Sequence, residues 1–98
     1  MSHRLIIRPE ADAEVYEASH WYEERRQGLG KEFLSAFASA TANLRFNPQL
    51  HPIVAGEARR LLLRRFPYSV IYEIHGDEVV VLACFHESRD PHEWLRRL

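Results

Sequence analysis

Two pairs of arginines and a histidine with charged neighbours lie in the C-terminal half of the chain. Arginines occur in pairs at 59–60 and 64–65, and His86 is followed at short range by Arg89. Cleavage of RNA by its own 2′-hydroxyl requires a base for that proton, an acid for the leaving oxygen and cations for the phosphorane. The candidate catalytic residues for such a reaction are His86, Arg65, Arg60 and Glu57.

The same part of the chain also fits a surface that binds another protein. A guanidinium group pairs with a carboxylate through two parallel hydrogen bonds, so a row of arginines can orient an acidic partner. The candidate partner-binding residues are Arg60, Arg65, Tyr68, Tyr72, His86, Arg89 and Trp94. A purely structural interpretation stays open, in which the arginines form salt bridges with Glu73 or Glu87. In that interpretation His86 bonds to Asp90 or to a backbone carbonyl.

Metal and triad chemistry are not favoured by the spacing. Cys84, His86 and His92 match no closed zinc-binding pattern. Ser88 lies too close in sequence to His86 and Asp90 for a nucleophile, a base and an orienting acid to reach their geometry. The sequence therefore predicts no bound metal and no cofactor.

Length and composition predict one globular domain over residues 1–98. The formal net charge is −1, which gives no overall attraction for nucleic acid. Cys84 is the single cysteine, so it excludes an internal disulfide and indicates a buried thiol in a reducing compartment. No apolar stretch approaches the roughly 20 residues of a membrane span, and the first residues do not resemble a signal peptide. We therefore expect a cytoplasmic protein with no membrane partner.

The first half of the sequence predicts a strand and a helical hairpin. Residues 4–8 are β-branched and apolar, and Pro9 ends that strand and opens a helix. Gly28 and Gly30 allow a tight turn into a second helix of about 16 residues, which Asn47-Pro48 stops. Apolar residues at helical spacing mark the inner faces of both helices. The aromatic residues predicted to lie in the core between them are Trp21, Tyr22, Phe33 and Phe37.

The second half predicts a loop, three strands and a terminal helix. Residues 49–58 carry prolines and a glycine, as a loop does. Residues 59–65, 68–75 and 78–86 are rich in β-formers, and Gly76-Asp77 suits a tight hairpin. Residues 79–85 are apolar on both faces, which is typical of a central strand. With a short helix at 91–98, the prediction is an α+β fold with a three-stranded antiparallel meander.

Several short sequence motifs follow one another along the chain in an informative order. They are Trp21-Tyr22-Glu23, Gly28-Leu29-Gly30-x-x-Phe33, Asn47-Pro48, Arg60, Phe66-Pro67-Tyr68-x-x-x-Tyr72 and His86-x-x-Arg89-Asp90-Pro91-x-x-Trp94. Over residues 3–97 they resemble the RelE/ParE family of type II toxins, in particular its ParE-like plasmid-stabilisation branch. The resemblance implies the RelE/ParE-like fold and a toxin neutralised by a cognate antitoxin, whose flexible tail folds on binding.

Two positions separate the activities that this family resemblance implies. The branch that cleaves mRNA on the ribosome usually has an arginine in a Tyr-Arg-x-x-Tyr string, where this chain has Ser69 after Tyr68. That branch also places a tyrosine shortly after the last strand, where this chain has Asp90 and Pro91. Resemblance to the ParE branch implies an inhibitor of DNA gyrase that performs no chemistry of its own.

We therefore expect a toxin that acts by contact with a protein such as DNA gyrase. Its candidate surfaces are the helical hairpin and the segment after His86. Two alternatives stay open: a ribosome-dependent mRNA endoribonuclease, with RNA and the ribosome as partners, and a non-toxic binding or regulatory module of the same fold. Lys31 is the only lysine, so the chain offers little of the basic surface that ribosome docking needs.

Overall fold

The computed structural model describes residues 2–98, and it has the predicted α+β architecture. The strands and helices, in chain order, are β1 (Arg4–Ile7), α1 (Pro9–Arg25), α2 (Leu29–Leu44), β2 (Ile53–Ala55), β3 (Ala58–Leu62), β4 (Tyr68–His75), β5 (Glu78–His86) and α3 (His92–Leu95). The predicted strand, helical hairpin, antiparallel meander and terminal helix are all confirmed.

The five strands form one sheet in the order β1-β5-β4-β3-β2. β1 runs parallel to β5, and the other neighbours are antiparallel. α1 and α2 cover one side of the sheet, which we call the helix-side face. α3 covers part of the opposite side, which we call the outer face. Residues 79–85 are buried throughout, as predicted, and β5 lies between β1 and β4, whereas the middle strand of the sheet is β4.

A close crossing at Gly30 fixes the helical hairpin. A Cβ atom placed on Gly30 would lie only 2.4 Å from the carbonyl oxygen of Ser19 in α1. The Glu23 carboxylate accepts hydrogen bonds from the Gly28 N–H at 2.9 Å and the Gly30 N–H at 3.0 Å. These amides belong to the first turn of α2, where backbone donors have no partner inside the helix. Gly28 itself adopts φ +89°, the left-handed conformation that glycine accepts most readily.

Phe33 lies at the centre of the helix-side core. Its ring is fully buried, with ring centroids of Tyr22, Phe66 and Tyr68 at 5.5, 5.2 and 5.1 Å. Such offset and edge-on pairs add to the stabilisation that burial gives. Trp21 was predicted to join this core, and that prediction was wrong. Its side chain is 49% exposed because it lies on the flank of α1 that α2 does not cover.

The outer face has a smaller core. Its buried residues are Ala58, Ile71, Val80, Leu82, Ala83, Phe85 and Trp94. Trp94 comes from α3, and its ring lies 5.8 Å from that of Phe85. The predicted capping of the sheet by the terminal helix therefore occurs, through one indole.

A bulge in β5 changes which side chains face the helices. Ile71 pairs with Ala83, whereas the next residue of β4, Tyr72, pairs with Val81. Leu82 is thus the additional residue, and both it and Ala83 point toward the outer face. Beyond the bulge, Cys84 returns to the helix-side core, buried as predicted.

The structure corrects three predicted boundaries. β2 lies inside the segment predicted as a loop, because Gly56 with φ +54° lets the chain turn back onto β3. β3 ends at Leu62 and not at residue 65, since the Tyr68 N–H bonds to the Phe66 carbonyl in a tight turn. The regular part of the terminal helix is His92–Leu95, shorter than the predicted 91–98.

Candidate functional site

His86 ends β5 and is held by its own loop. Its ring stands edge-on to Tyr68 at 5.2 Å. Nδ1 accepts a hydrogen bond from the Ser88 backbone N–H at 3.0 Å and lies 2.8 Å from the Ser88 hydroxyl. A backbone N–H can only donate, so the proton of the neutral ring must be on Nε2. In this geometry His86 offers a hydrogen-bond donor at Nε2 and has no free nitrogen to remove a proton.

The segment after His86 forms bonds other than those predicted. Asp90 does not bond to His86. It accepts hydrogen bonds from the His92 N–H at 3.0 Å and the His92 ring at 2.8 Å, and these bonds lower the pKa of the Asp90 carboxyl. Arg89 pairs with Glu93 at 2.7 Å. The loop therefore starts α3 through local contacts, and His86 remains oriented by Ser88.

The four candidate catalytic residues lie apart. Arg60 pairs with Ile71, whose side chain belongs to the outer face, whereas His86 pairs with Tyr68 on the helix-side face. These positions differ by three residues along the sheet and by two strands across it, which separates their Cα atoms by roughly 14 Å. Glu57 is exposed in the turn before β3, farther still from His86.

Arg65 is bonded to α2. Its guanidinium donates to the Glu32 carboxylate of α2 at 2.8 Å, and that bond lowers the pKa of Glu32. Arg60, Arg65, Glu57 and His86 consequently do not converge on one point where a phosphate could bind.

The predicted arginine salt bridges with Glu73 and Glu87 are not formed among residues 2–98. Arg59 instead donates to the backbone carbonyls of Gln49 and His51, at 3.0 and 2.7 Å. Glu73 pairs with His75 at 2.8 Å. The inward arginine of the first pair thus anchors the segment before β2.

Two of the predicted partner-binding residues are buried. Tyr72 is fully buried and donates to the Pro48 carbonyl at 2.6 Å, and burial raises its pKa to about 12. Trp94 is 6% exposed beneath α3. Neither side chain can contact a partner in this conformation. Ser69, at the position where the nuclease branch carries its arginine, is also buried, and its hydroxyl has no partner within residues 2–98.

Three of the predicted partner-binding residues share one cleft. Tyr68, His86 and Arg89 line a cavity of about 700 Å³ between α1 and the ends of β4 and β5. We call it the α1–β5 cleft. Its opposite wall comes from α1 and carries Glu17, Trp21 and Glu24. Sequence reasoning missed these three as site residues, although their 3- and 4-residue spacing places them on one helix face.

A second depression lies between the helices and β1. It has a volume of about 630 Å³, and side chains of Leu5, Val15, Leu34 and Phe37 line it. We call it the hairpin groove. Arg4, Asp12 and Arg45 line it as well, so it combines an apolar interior with charged groups. It lies on the helical hairpin that the sequence indicated as an interaction surface.

Within residues 2–98 there is no group of three side chains able to hold a metal ion. None of the helices in that range is both long and apolar enough to cross a membrane. Burial raises the pKa of the Cys84 thiol to about 12, with Glu14 as a second cause, so this cysteine is a poor nucleophile.

Residues 5–91 match a family model described as the ParE toxin of the type II toxin–antitoxin system parDE. A comparison with curated proteins gave no match. Since the matched segment spans most of the chain, it establishes the family.

Solved structures with the same fold include toxins of this kind. A structure described as the chromosomal ParDE system from P. aeruginosa aligns with a TM-score of 0.72 at 18% identity, covering 87% of this chain and 96% of that one. The toxin–antitoxin complex RelBE2 from Mycobacterium tuberculosis gives 0.62 at 14% identity, covering 88% and 99%. A mutant of the E. coli toxin RelE in the free state gives 0.63 at 11% identity, covering 100% and 99%. At these identities the likeness establishes the fold.

Proposed function

This chain belongs to the ParE toxin family of type II toxin–antitoxin systems, and we propose that it acts by binding a target protein without cleaving RNA. The target that its ParE character indicates is DNA gyrase. A cognate antitoxin neutralises it, and both interactions take place in the cytoplasm.

The observation that carries this proposal is the dispersal of the ionisable groups. A ribonuclease must bring a base, an acid and cations to within hydrogen-bond reach of one phosphate. Here Arg60 and His86 lie on opposite faces of the sheet, and Arg65 is bonded to Glu32. The Ser88 N–H also donates to His86 Nδ1, which places the proton of the neutral ring on Nε2 and argues against His86 as the base. Dispersed groups suit recognition over a broad surface better than catalysis at a point.

The hairpin groove is our candidate for antitoxin binding. Its apolar lining would otherwise stay in contact with water, and an amphipathic partner helix can bury such a surface. Arg45 lines the groove, and its guanidinium donates to the His3 carbonyl at 3.0 Å. The P. aeruginosa and M. tuberculosis structures are described as toxin–antitoxin systems, which favours the same kind of partner for this chain.

The proposal is tested by controlled expression of the chain without its antitoxin. We expect growth to stop, with DNA synthesis falling before protein synthesis in pulse-labelling experiments and with messages left intact. Co-expression of the neighbouring antitoxin gene should restore growth. The His86→Gln variant keeps a hydrogen-bond donor but cannot act as a base, so it should remain toxic.

Two results would contradict the proposal. An immediate stop in translation with cleaved messages, abolished by His86→Gln, would identify a ribonuclease. Unimpaired growth at verified expression would instead identify a non-toxic binding module.

A further inference from the structure

The α1–β5 cleft lies beside an open edge of β5. β1 pairs with β5 only as far as Val81, because the chain leaves the sheet at Pro9 to begin α1. Peptide groups in an antiparallel ladder point alternately toward and away from the neighbouring strand. Those of Cys84 and His86 point away from β4, as the bond from the Cys84 N–H to Glu14 at 3.0 Å demonstrates. Residues 82–86 therefore present backbone to the cleft.

Two side chains occupy the near end of that edge. Arg97 donates to the Leu82 carbonyl at 3.0 Å and to both carboxylate oxygens of Glu14, at 2.9 and 3.0 Å. The Glu14 carboxylate in turn accepts the Cys84 N–H. This pair replaces the missing strand next to the bulge. The open end of the edge begins at the Cys84 carbonyl and continues to the His86 N–H.

The uncompensated charge of the cleft is negative. Glu17 and Glu24 line its α1 wall and form no ion pair within residues 2–98. The cation on the other side, Arg89, is already paired with Glu93. A ligand that enters the cleft therefore meets two carboxylates that have no salt-bridge partner within residues 2–98. One cation without such a partner, Arg25, lies over the Trp21 ring, so the free charges of the cleft sum to −1.

Aromatic rings complete the cleft. Trp21 is 49% exposed, Tyr22 stands edge-on to it at 5.1 Å, and the Arg25 guanidinium lies over the Trp21 ring, 3.7 Å from its centroid. Tyr68 faces Tyr22 at 6.1 Å from the sheet side. Aromatic rings beside carboxylates form the environment that recognises a guanidinium or an ammonium group.

We propose that the α1–β5 cleft binds an extended, basic peptide segment of a protein partner. The segment lies along β5 at Cys84 and His86, and its lysine or arginine side chain reaches between Glu17 and Glu24. The free strand edge favours a peptide over an isolated cation, since added strands bind through backbone hydrogen bonds. The carboxylates favour a basic peptide over an acidic one.

The test uses the purified full chain, labelled with ¹⁵N, and a blocked pentapeptide of alternating valine and arginine. Trp21 lines the cleft, whereas Trp94 is buried on the outer face, so the two indole N–H signals report on separate places. We expect the signals of the Trp21 indole and the His86 amide to shift on titration while the Trp94 indole stays in place. The matched control peptide carries citrulline, the neutral analogue of arginine, and should bind at least fivefold more weakly.

Variants that remove the charges of Glu17 and Glu24 test whether these carboxylates attract the peptide. The double variant Glu17→Gln/Glu24→Gln should weaken binding of the arginine peptide about tenfold and remove most of its dependence on salt. Glu57→Gln, an exposed carboxylate in the turn before β3, is the matched control and should leave binding unchanged.

Equal binding of the citrulline peptide, or an unchanged affinity of the double variant, would overturn this proposal. So would shifts confined to the Trp94 indole. Because binding is measured with purified protein, a failure of growth arrest would count against the proposed toxin function and not against this site.

Discussion

The two faces of the sheet differ in how completely they are built. On the helix-side face, the buried hydroxyls of Thr41 and Tyr72 both find carbonyl acceptors, at 2.9 and 2.6 Å. On the outer face, the Ser69 hydroxyl and the Trp94 indole N–H are buried, and neither has a partner within residues 2–98. A buried polar group that forms no hydrogen bond costs about 1–3 kcal/mol.

The helices also cover a larger area of the sheet on the helix-side face than on the outer face. Two helices of 17 and 16 residues pack on the helix-side face, whereas the four-residue α3 covers part of the outer face. Most of the hydrophobic stabilisation therefore belongs to the helix-side face. The helical hairpin therefore fixes the fold, while the outer face contributes less stability and tolerates more change.

The largest expected effects come from two phenylalanines. Phe33→Ala should cost about 4 kcal/mol, since its fully buried ring has three aromatic neighbours. Phe85→Ala should cost about 3 kcal/mol, because only α3 covers it and that short helix can collapse onto the space. Urea denaturation of both variants measures the difference. Equal costs would mean that the outer face is as tightly packed as the helix-side face.

The two glycines of the hairpin turn give the next largest effect. Gly30→Ala places a Cβ 2.4 Å from the Ser19 carbonyl, so the helices must separate, at a cost of about 2–3 kcal/mol. Gly28→Ala meets nothing within 4 Å and should cost about 1 kcal/mol from its left-handed backbone alone. Thermal unfolding of the pair distinguishes crossing distance from backbone strain. The reverse order would show that α1 and α2 are not held at this separation.

Ser69→Ala should have a small effect of the opposite sign. It removes a hydroxyl that has no partner, so the variant should be as stable as the parent or more stable by up to about 1 kcal/mol. Thr41→Val is the control on the helix-side face, where loss of the bond to Phe37 should destabilise by about 1 kcal/mol. A clear loss of stability in Ser69→Ala would mean that this hydroxyl is satisfied.

His51, at the margin of the helix-side core, should make the free energy of unfolding depend weakly on pH. Burial first, and then the charge of Arg59, lower its pKa below the ordinary value of 6.5. The unfolded chain therefore binds more protons here than the folded one, and stability must fall as pH falls through that range. This loss of stability is absent well above pH 6.5, where His51 is neutral in both the folded and the unfolded chain. His51→Gln should flatten the change in unfolding midpoint between pH 7.5 and 5.5, and an unchanged slope would assign it to other groups.

The local signals of the sequence predicted most of the fold. Pro9, the turn glycines and Asn47-Pro48 mark helix boundaries through backbone chemistry that acts within a few residues, and those boundaries were confirmed. β2 was not predicted, because the three residues Ile53–Ala55 are too few for a periodic pattern. The bulge at Leu82 was not predicted, because it depends on the register between β5 and β4. The residues of β5 alone do not determine that register.

The site was less predictable than the fold. Tyr68, His86 and Arg89 were selected by residue type, and the structure brings these three to one cleft. The α1 wall could not be identified, because helical spacing shows that Glu17 and Glu24 share a face but not what lies opposite. Tyr72 was misplaced for a related reason: its burial depends on the bulge in β5 and on the carbonyl of Pro48.

The proposed action by contact is tested most directly with purified components. The chain is added in increasing amounts to DNA gyrase, ATP and relaxed plasmid, and supercoiling is followed on gels, with intact mRNA and ribosomes in a parallel reaction. We expect supercoiling to fall in proportion to the added chain, to recover when the antitoxin is added, and the mRNA to remain whole. Full supercoiling at a large excess of the chain, together with cleaved mRNA in the parallel reaction, would contradict a toxin that works by contact with gyrase.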